Sequence, residues 1–300
     1  MRKFAAIGMF DGVHRGHIHL WQRIKAMAQA SSGTSLAVSF THHPMRLIAP
    51  GHAPGMLTTA GQRSRLLHQA GADEVVILDF TEQLRRMTAT EFVSMLRERY
   101  GVTDLVMGFN NNIGSDRMHG LEASAKLPAS AGVTVHIADE CEMRTADGNT
   151  LSSSSVRRAL LQGDVSTAAA VLGRNYRLSG RVVHGHRVGT GLGYPTANIE
   201  PCDSSLLVPA PGVYAVDVIL DDNSRHRGML NIGSRPTIAD GDNRTTVEVH
   251  ILNFNGDLYG REIAVEFIKR LRDERQFDSP EALRRQLAAD ARAASGAIRR

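Results

Sequence analysis

The chain has 300 residues, of which 42% are hydrophobic and 22% are charged, so it is long enough to fill the cores of two globular domains. Aromatic residues make up only 5% of the chain, which argues against a protein that stacks single-stranded nucleic acid. The formal net charge of +4 comes without a long lysine or arginine run, a pattern that favours small anionic ligands over nucleic acid.

The chain also lacks the sequence features of secreted and membrane proteins. No stretch reaches the roughly 18 apolar residues of a membrane span. Asp11 and Gly12 interrupt the first apolar run too early for a signal peptide. Cys141 and Cys202 belong to no CxxC or Cys/His spacing, as is typical of free thiols in a reducing compartment. We therefore predict a cytoplasmic protein with no nucleic-acid, membrane or obligate protein partner.

Short apolar runs alternate with longer helical patterns over the first half of the chain. Strands are predicted at residues 4–8, 35–40, 74–80, 105–108 and 133–137, and helices at 17–30, 61–70, 88–100, 154–161 and 165–172. Strands that alternate with crossover helices form a parallel sheet covered by helices on both faces. The first half is therefore predicted to be an α/β domain.

The pattern changes near residues 173–175, where β-rich runs replace helical ones. Strands are predicted at residues 177–183, 213–220, 228–232, 245–252 and 262–268, with turn clusters at 221–223, 240–243 and 255–257. The last cluster contains Asn255-Gly256, which predicts a hairpin between the two runs beside it. Several short strands with regular turns indicate a small barrel. Ser279 and Pro280 then begin a terminal helix, so the predicted domains are 1–173 and 174–300.

The first predicted strand runs into the string GMFDGVHRGH at residues 8–17. His14 and His17 lie three positions apart and share one face of the opening helical turn. The exposed N–H groups and the positive end of a helix attract phosphate there. Two imidazoles beside them can hydrogen-bond a triphosphate and stabilise charge on its bridging oxygens.

The string LSSSSVR at residues 151–157 has a related arrangement. Ser153 and Ser154 stand at a predicted helix start, where hydroxyl groups cap N–H groups. Arg157 lies three to four positions on and can reach the same anion from the same face. The segment is therefore a second candidate phosphate-binding element.

Two further segments stand out in the second half. Four glycines within nine positions precede Pro195-Thr196-Ala197-Asn198, and a backbone of this kind can approach phosphates closely. Later, Glu248 and His250 alternate along a strand and share one of its faces. A glutamate so placed can act as a general base, whereas His250 is interpreted as structural.

These strings resemble a known family. Residues 8–17 and 151–157 resemble the GxFDGVHxGH and ISSTxxR signatures of flavin-specific nucleotidyltransferases, and the segment ending at Asn198 resembles the riboflavin kinase signature GxGxxLGFPTAN. Residues 246–254, 228–237 and 272–277 resemble the kinase motifs TxExHxxxF, GxxNIGxRPTF and RDExxF. Over essentially its full length the chain resembles the bacterial bifunctional riboflavin kinase/FAD synthetase family.

The resemblance implies both fold and activity. It implies a Rossmann-like nucleotidyltransferase domain, then a six-stranded antiparallel β-barrel kinase domain with a C-terminal helix. It implies that the chain phosphorylates riboflavin to FMN with ATP and adenylylates FMN to FAD with a second ATP, releasing pyrophosphate. Mg²⁺ is the implied cofactor, ATP the co-substrate, and riboflavin and FMN are the other small-molecule substrates.

The resemblance also implies roles for individual residues. The implied catalytic residues are Glu248, His14, His17 and Arg157. The implied ATP- or phosphate-binding residues are Gly8, Phe10, Asp11, Gly12, Gly16, Asn110, Ser153, Ser154, Gly185, Gly191, Gly193, Pro195, Thr196 and Asn198, and the last pair of these, Thr196 and Asn198, would also bind the metal. The implied flavin-binding residues are His43, Asn231, Arg235, Arg272 and Glu274.

Some positions depart from the family pattern and keep two alternatives open. His42 stands where FxPHP has proline, and Asn111 and Ile113 replace the phenylalanines of GxDFxFG. Loss of these aromatic faces favours one alternative, a riboflavin kinase with a weakened adenylyltransferase domain. The second alternative is a non-catalytic regulator that binds flavin or nucleotide, against which the presence of Glu248 and of the histidine pair argues.

Overall fold

The structure is a computed structural model that describes residues 1–108, 112–138, 144–184, 193–236 and 243–297. The predicted site residues Asn110, Gly185 and Gly191 lie outside these ranges, as does Asn111. The chain divides into two compact units, Met1–Ser152 and Ser153–Arg300. Each unit is described by itself, and the domain boundary between residues 173 and 174 stays a prediction.

The first unit contains a five-stranded parallel sheet with the strand order β3-β2-β1-β4-β7. Its elements are β1 (Lys3–Ile7), α1 (Arg15–Ala30), β2 (Thr34–Phe40), α2 (Met45–Ile48), α3 (Ala60–Ala70), β3 (Glu74–Leu78), α4 (Glu82–Arg86), α5 (Ala89–Tyr100), β4 (Asp104–Gly108), β5 (Asn112–Ile113), β6 (Met118–His119), α6 (Gly120–Ser130) and β7 (Thr134–Ala138), with a 3₁₀ turn at Pro50–His52. The parallel α/β prediction is confirmed.

Helices cover both faces of this sheet because successive strand residues point to opposite sides. Phe4 of β1 packs in one layer with Trp21 of α1 and Leu67 of α3. Its neighbour Ala5 packs in the other layer with Phe92 of α5 and other residues of α5 and α6. The sheet is therefore buried on both faces, which explains why its strands read as continuous apolar runs.

Helix α6 was not predicted from the sequence. It begins at Gly120 and contains Pro128, and both residue types usually interrupt a helical pattern. Ala123 and Leu127 nevertheless lie four positions apart and are fully buried. Burial of this apolar stripe stabilises the helix against its weak local propensity.

The second unit begins with two helices and continues into a closed antiparallel barrel. Its elements are α7 (Ser153–Leu161), α8 (Val165–Leu172), β8 (Arg177–Val183), β9 (Ala197–Pro201), β10 (Gly212–Ile219), β11 (Arg225–Pro236), β12 (Asn243–Ile251), β13 (Glu262–Arg272) and α9 (Pro280–Ser295). The barrel order β10-β11-β12-β9-β8-β13 confirms the predicted six-stranded barrel. Within the described ranges, no helix is long and apolar enough to cross a membrane.

The hairpin predicted at Asn255-Gly256 is wrong. Strand β12 pairs with β11 and β9, whereas β13 pairs with β10 and β8, so the two strands are not neighbours. Left-handed backbone conformations fall instead on Asn253 and Gly260, near the two ends of the connection. The barrel closes through strands distant in sequence, so turn composition alone could not show where this segment leads.

Candidate active sites

The GMFDGVHRGH string follows β1, the strand at which the strand order of the parallel sheet reverses. Strand β1 is flanked by β2 on one side and β4 on the other, so the chain winds both ways from it. Ligands of open α/β sheets bind at the carboxyl ends of strands at such a switch point. The loop that follows Ile7 therefore occupies the position where this fold places a ligand.

The backbone of this loop, residues 9–13, is strained. Phe10 and Val13 have φ angles of 47° and 38°, and Gly12 lies between them at 79°. Left-handed conformations are unfavourable for residues with a Cβ, above all for a β-branched residue such as valine. The Val13 N–H donates to the Phe10 carbonyl over 2.9 Å and closes the turn. Strain of this kind persists only where surrounding contacts fix it, and it concentrates at functional sites.

Asp11 fixes the loop from within. Its buried carboxylate accepts hydrogen bonds from the Leu57 N–H at 2.9 Å, the Thr58 N–H at 3.1 Å and the Thr58 hydroxyl at 2.9 Å. The Gly12 N–H donates to the same hydroxyl at 3.3 Å. Asp11 thus ties the loop to the segment before α3, and its contact with ATP stays a prediction.

The two histidines of the motif lie together at the start of α1. Their rings stack with centroids 3.7 Å apart, and the edge of Phe10 packs on His17 at 5.3 Å. Burial, and secondarily the charge of His14, hold the pKa of His17 well below its ordinary value. His17 is therefore neutral at neutral pH and can donate or accept a hydrogen bond without adding a fixed charge.

Gly16 allows this arrangement. A Cβ at Gly16 would lie 3.1 Å from the His14 ring and 3.2 Å from the Leu151 carbonyl oxygen. The start of the LSSSSVR segment is therefore adjacent to the histidine loop. Ser153, Ser154 and Arg157 follow on α7, which belongs to the second compact unit, and their phosphate-binding roles stay predictions.

The depressed pKa of His17 has a consequence for stability. Below a pH of about 6.5 the unfolded chain binds a proton at His17, whereas the folded chain does not. The free energy of unfolding therefore falls as the pH decreases from that value towards the pKa of His17 in the folded chain. We expect His17→Gln to flatten this loss between about pH 7 and pH 5. The fluorescence of Trp21, the chain's only tryptophan, reports unfolding of the first unit in urea. If the free energy of unfolding falls equally with pH in the wild type and in His17→Gln, the expectation is contradicted.

An apolar cavity of about 430 Å³ opens beside the same strand ends. Three phenylalanines, Phe40, Phe80 and Phe92, line it together with Gly8, Pro44, Asn112, Ile113 and other residues. Ile113, which replaces a phenylalanine of the family pattern, therefore lines a cavity that still has three phenylalanine rings in its wall. His43 precedes Pro44, and its Nδ1 accepts from the Met45 N–H at 3.2 Å at the start of α2.

In the second unit the barrel register aligns residues from three separate motifs. Asn231 of β11 lies opposite Glu248 of β12, and Glu248 lies opposite Asn198 of β9. The Thr196 hydroxyl, just before β9, donates to Glu248 Oε2 over 3.4 Å. The barrel thus brings four of the predicted kinase residues together.

A cavity of about 320 Å³ lies beside Asn231, Glu248 and Thr196. Its walls include Thr196, Asn231, Glu248, Arg272 and Glu274, all predicted, together with Tyr194, Met229, Leu230, His250, Arg275 and Phe277. Leu283, Leu287 and Asp290 of α9 also line it and were missed. Leu287 and Asp290 follow Leu283 at four and seven positions, so the three residues share one face of α9. This helical spacing was the signal in the sequence that could have identified them.

Arg272 and Asp290 join the barrel to the terminal helix. Arg272 Nη2 donates to the buried Asp290 carboxylate at 2.7 Å, and its Nε donates at 3.1 Å. The guanidinium therefore has a structural partner, and its predicted flavin contact is untested. Arg235 falls on β11, and Gly193 has a left-handed φ of 82° just after the undescribed glycine segment.

Glu274 folds onto β11 because residue 233 is glycine. A Cβ at Gly233 would collide with the Glu274 carboxylate, which accepts a hydrogen bond from Asn231 Nδ2 at 3.3 Å. The resemblance implies that Glu274 binds the flavin. On that basis we expect Gly233→Ala to displace Glu274 and raise the KM for riboflavin by up to about tenfold, the worth of one such hydrogen bond, with kcat little changed. Glu274→Ala should give the same shift, and the double variant no more. Steady-state kinetics would contradict this expectation if the KM of the double variant rose by the combined effect of the two single variants.

A smaller cavity of about 220 Å³ lies on the other side of Thr196. Pro195, Thr196 and Ala197 form one wall, and the residues after β12, Phe254 to Tyr259, form another. The ring of Tyr259 stacks on His184 at 4.1 Å, next to the undescribed glycine segment. Thr196 therefore borders both of these cavities.

The residues at Thr196 fit a hard cation. Within the described residues no group of three His, Cys, Asp or Glu side chains could hold a metal. The hydroxyl of Thr196 and the carboxylate of Glu248 nevertheless lie 3.4 Å apart, and Asn198 is opposite Glu248. Magnesium takes a few protein oxygen ligands and completes its shell with water and phosphate, so a site of this kind suits it.

Comparison with known proteins agrees with the motifs. Residues 1–155 match the family model described as FAD synthetase, and residues 172–298 match the one described as riboflavin kinase. The bifunctional riboflavin kinase/FMN adenylyltransferase of Pseudomonas fluorescens is 40% identical over 291 residues, which are 97% of this chain and 91% of the relative. The protein of the same description from Escherichia coli K12 is 35% identical over 286 residues, 95% and 89% of the two chains.

A solved structure from Streptococcus pneumoniae, described as a macrolide-efflux protein, is also similar over nearly the whole chain. It is 31% identical, has a TM-score of 0.88, and the match covers 99% of this chain and 95% of that one. The similarity therefore includes both the parallel sheet and the barrel.

Proposed function

Because the chain belongs to the family of bifunctional riboflavin kinases/FMN adenylyltransferases, we propose that its barrel phosphorylates riboflavin and that its parallel-sheet unit adenylylates the resulting FMN. The resemblance predicted from the motifs is confirmed by these matches. The observation that carries the proposal is the row formed by Asn231, Glu248 and Asn198. Asn231 and Glu248 of this row line one cavity of ligand size together with Thr196, so residues of three motifs meet there.

In the barrel, riboflavin occupies the cavity of about 320 Å³ and ATP the smaller cavity beyond Thr196. Leu283, Leu287 and Phe277 offer apolar surface to the flavin ring. The 5′-hydroxyl then approaches Glu248, whose carboxylate accepts the proton as oxygen attacks the γ-phosphorus. Thr196 supports this placement because it borders both cavities and contacts Glu248.

Thr196 and Asn198 are the residues that would hold Mg²⁺ with ATP, as their oxygen donors suit a hard ion. When bound, the ion neutralises charge on the phosphates. Glu248 orients Thr196 through the 3.4 Å contact between them. We further propose that Gly193 and Pro195 shape the phosphate-binding segment, and that Asn231, Arg235, Arg272 and Glu274 surround the flavin.

In the first unit, the ATP phosphates lie at the loop after β1 and the FMN ring lies in the apolar cavity of about 430 Å³. The FMN phosphate is already an anion and attacks the α-phosphorus directly, so the protein needs to align both ligands and stabilise the leaving pyrophosphate. We assign that stabilisation to His14 and His17, and Gly8, Phe10, Gly12 and Gly16 form the loop backbone around these two rings. From the LSSSSVR motif alone we add Arg157 to this role, and we propose that Ser153 and Ser154 contact phosphate.

The functional boundary lies at residues 173/174, the enzyme works in the cytoplasm, and its partners are small molecules rather than nucleic acid or membrane. The three phenylalanines of the first-unit cavity favour two working activities over a kinase with an impaired adenylyltransferase.

A chromatographic time course with purified protein, riboflavin, ATP and Mg²⁺ tests the proposal. FMN should appear first and FAD should follow. FMN alone would favour the kinase with a weakened first unit and direct attention to Asn111 and Ile113. Neither product, where a control enzyme works, would favour the regulator that binds flavin without turnover.

A further inference from the structure

Arg63 is a fully buried arginine that no motif includes. It lies on α3 in line with Leu67 and Ala70, the buried stripe of that helix. An arginine keeps its charge in folded proteins and offers five N–H donors in a rigid fork. Its place on an apolar stripe therefore requires acceptors inside the protein, and the structure supplies several.

The guanidinium reaches the strained loop by two routes. On one route Arg63 Nε donates to the Ser39 hydroxyl at 3.0 Å, and that hydroxyl donates to the Met9 carbonyl at 2.9 Å. On the other route Arg63 Nη1 donates to the Thr58 carbonyl at 3.3 Å. Thr58 in turn binds the Asp11 carboxylate and the Gly12 N–H.

The same guanidinium also fixes the end of β2. Its Nη2 donates to the carbonyl oxygens of Phe40 and Thr41, and the second distance is 3.4 Å. Phe40 lines the apolar cavity of the first unit. Arg63 therefore joins the loop after β1, the segment before α3 and the end of β2.

We propose that Arg63 is a positioning residue for adenylyl transfer. It acts through Ser39 and Thr58 to hold the loop that ends at His14. The inference rests on the proposed role of that loop in binding ATP. The positive φ angles of Phe10 and Val13 must be fixed by surrounding contacts, and Arg63 adds two hydrogen-bonded routes to those that Asp11 provides. Small misplacement of such a loop lowers the rate by up to about 10²-fold.

Ser39→Ala is the sharpest test because it removes one route and little volume. Ser35→Ala is the matched control: Ser35 lies on the same strand, is equally buried, and its hydroxyl donates to Asp73 at 2.7 Å at the opposite end of the strand. We expect Ser39→Ala to lower kcat for FMN adenylylation by about 10- to 100-fold with the KM for ATP within about twofold. Ser35→Ala should keep the wild-type kcat, and both variants should phosphorylate riboflavin at the wild-type rate.

Arg63→Lys tests the fork geometry of the guanidinium. Lysine has one nitrogen, so it cannot serve all the acceptors at once. We expect it to lose adenylylation as Ser39→Ala does, and the double variant to lose less than the product of the two effects. Wild-type kcat in Ser39→Ala, or an equal loss in Ser35→Ala, would overturn the inference. If the wild-type chain itself forms no FAD from FMN, the proposed function fails instead.

Discussion

Replacing Glu248 with glutamine should lower riboflavin phosphorylation by about 10²- to 10⁴-fold, the usual contribution of a general base, while FMN adenylylation on the same chain stays at the wild-type rate. Glutamine has nearly the same shape and still accepts a hydrogen bond from Thr196, so the row with Asn198 and Asn231 should be preserved. The amide cannot accept the proton of the 5′-hydroxyl. The loss should therefore appear in kcat, with the KM for riboflavin little changed.

The measurement is the initial rate of FMN formation from riboflavin, with FAD formation from added FMN as an internal control. Glu200→Gln is the matched variant, because Glu200 is an exposed carboxylate on β9 two residues from Asn198. It should behave as wild type. Full kinase activity in Glu248→Gln would remove Glu248 from the role of base. Equal loss of both activities would indicate a folding defect.

The kinase motifs were readable in the sequence, but the way their residues meet was not. Alternation placed Glu248 and His250 on one face of a strand, and the structure agrees on the strand. That Glu248 lies between Asn231 and Asn198 depends on the register of β11, β12 and β9. Pairing between distant strands is not encoded in a local pattern. Strand β9 itself was missed because its sequence, ANIEP, contains one β-branched residue and ends at a proline.

Arg63 and Asp290 were missed for the same reason. Both are charged, and a charged residue in a sequence is ordinarily interpreted as solvated. Both are buried because hydrogen-bonded partners from distant segments surround them, namely the end of β2 and the segment before α3 for Arg63, and Arg272 for Asp290. A charged residue at an inward position of an amphipathic helix was the available signal.

Replacing both His14 and His17 with alanine should abolish FAD formation and let FMN accumulate, while riboflavin phosphorylation continues. The stacked rings lie 3.7 Å apart at the start of α1, where developing charge on pyrophosphate would be closest to the helix end. Loss of donors aimed at such charge costs about 10²- to 10³-fold for each donor removed. The double variant should therefore fall below detection in a chromatographic assay.

His19→Ala is the control for this experiment, because residue 19 lies about 200° around α1 from His17 and belongs to no motif. It should form FAD at the wild-type rate. Each single variant should retain part of the activity. Unchanged FAD output in the double variant would mean that the loop after β1 is not the adenylylation site. Loss of both FAD and FMN would instead show that the substitutions unfold the chain, because the kinase residues lie on the barrel strands β9, β11 and β12.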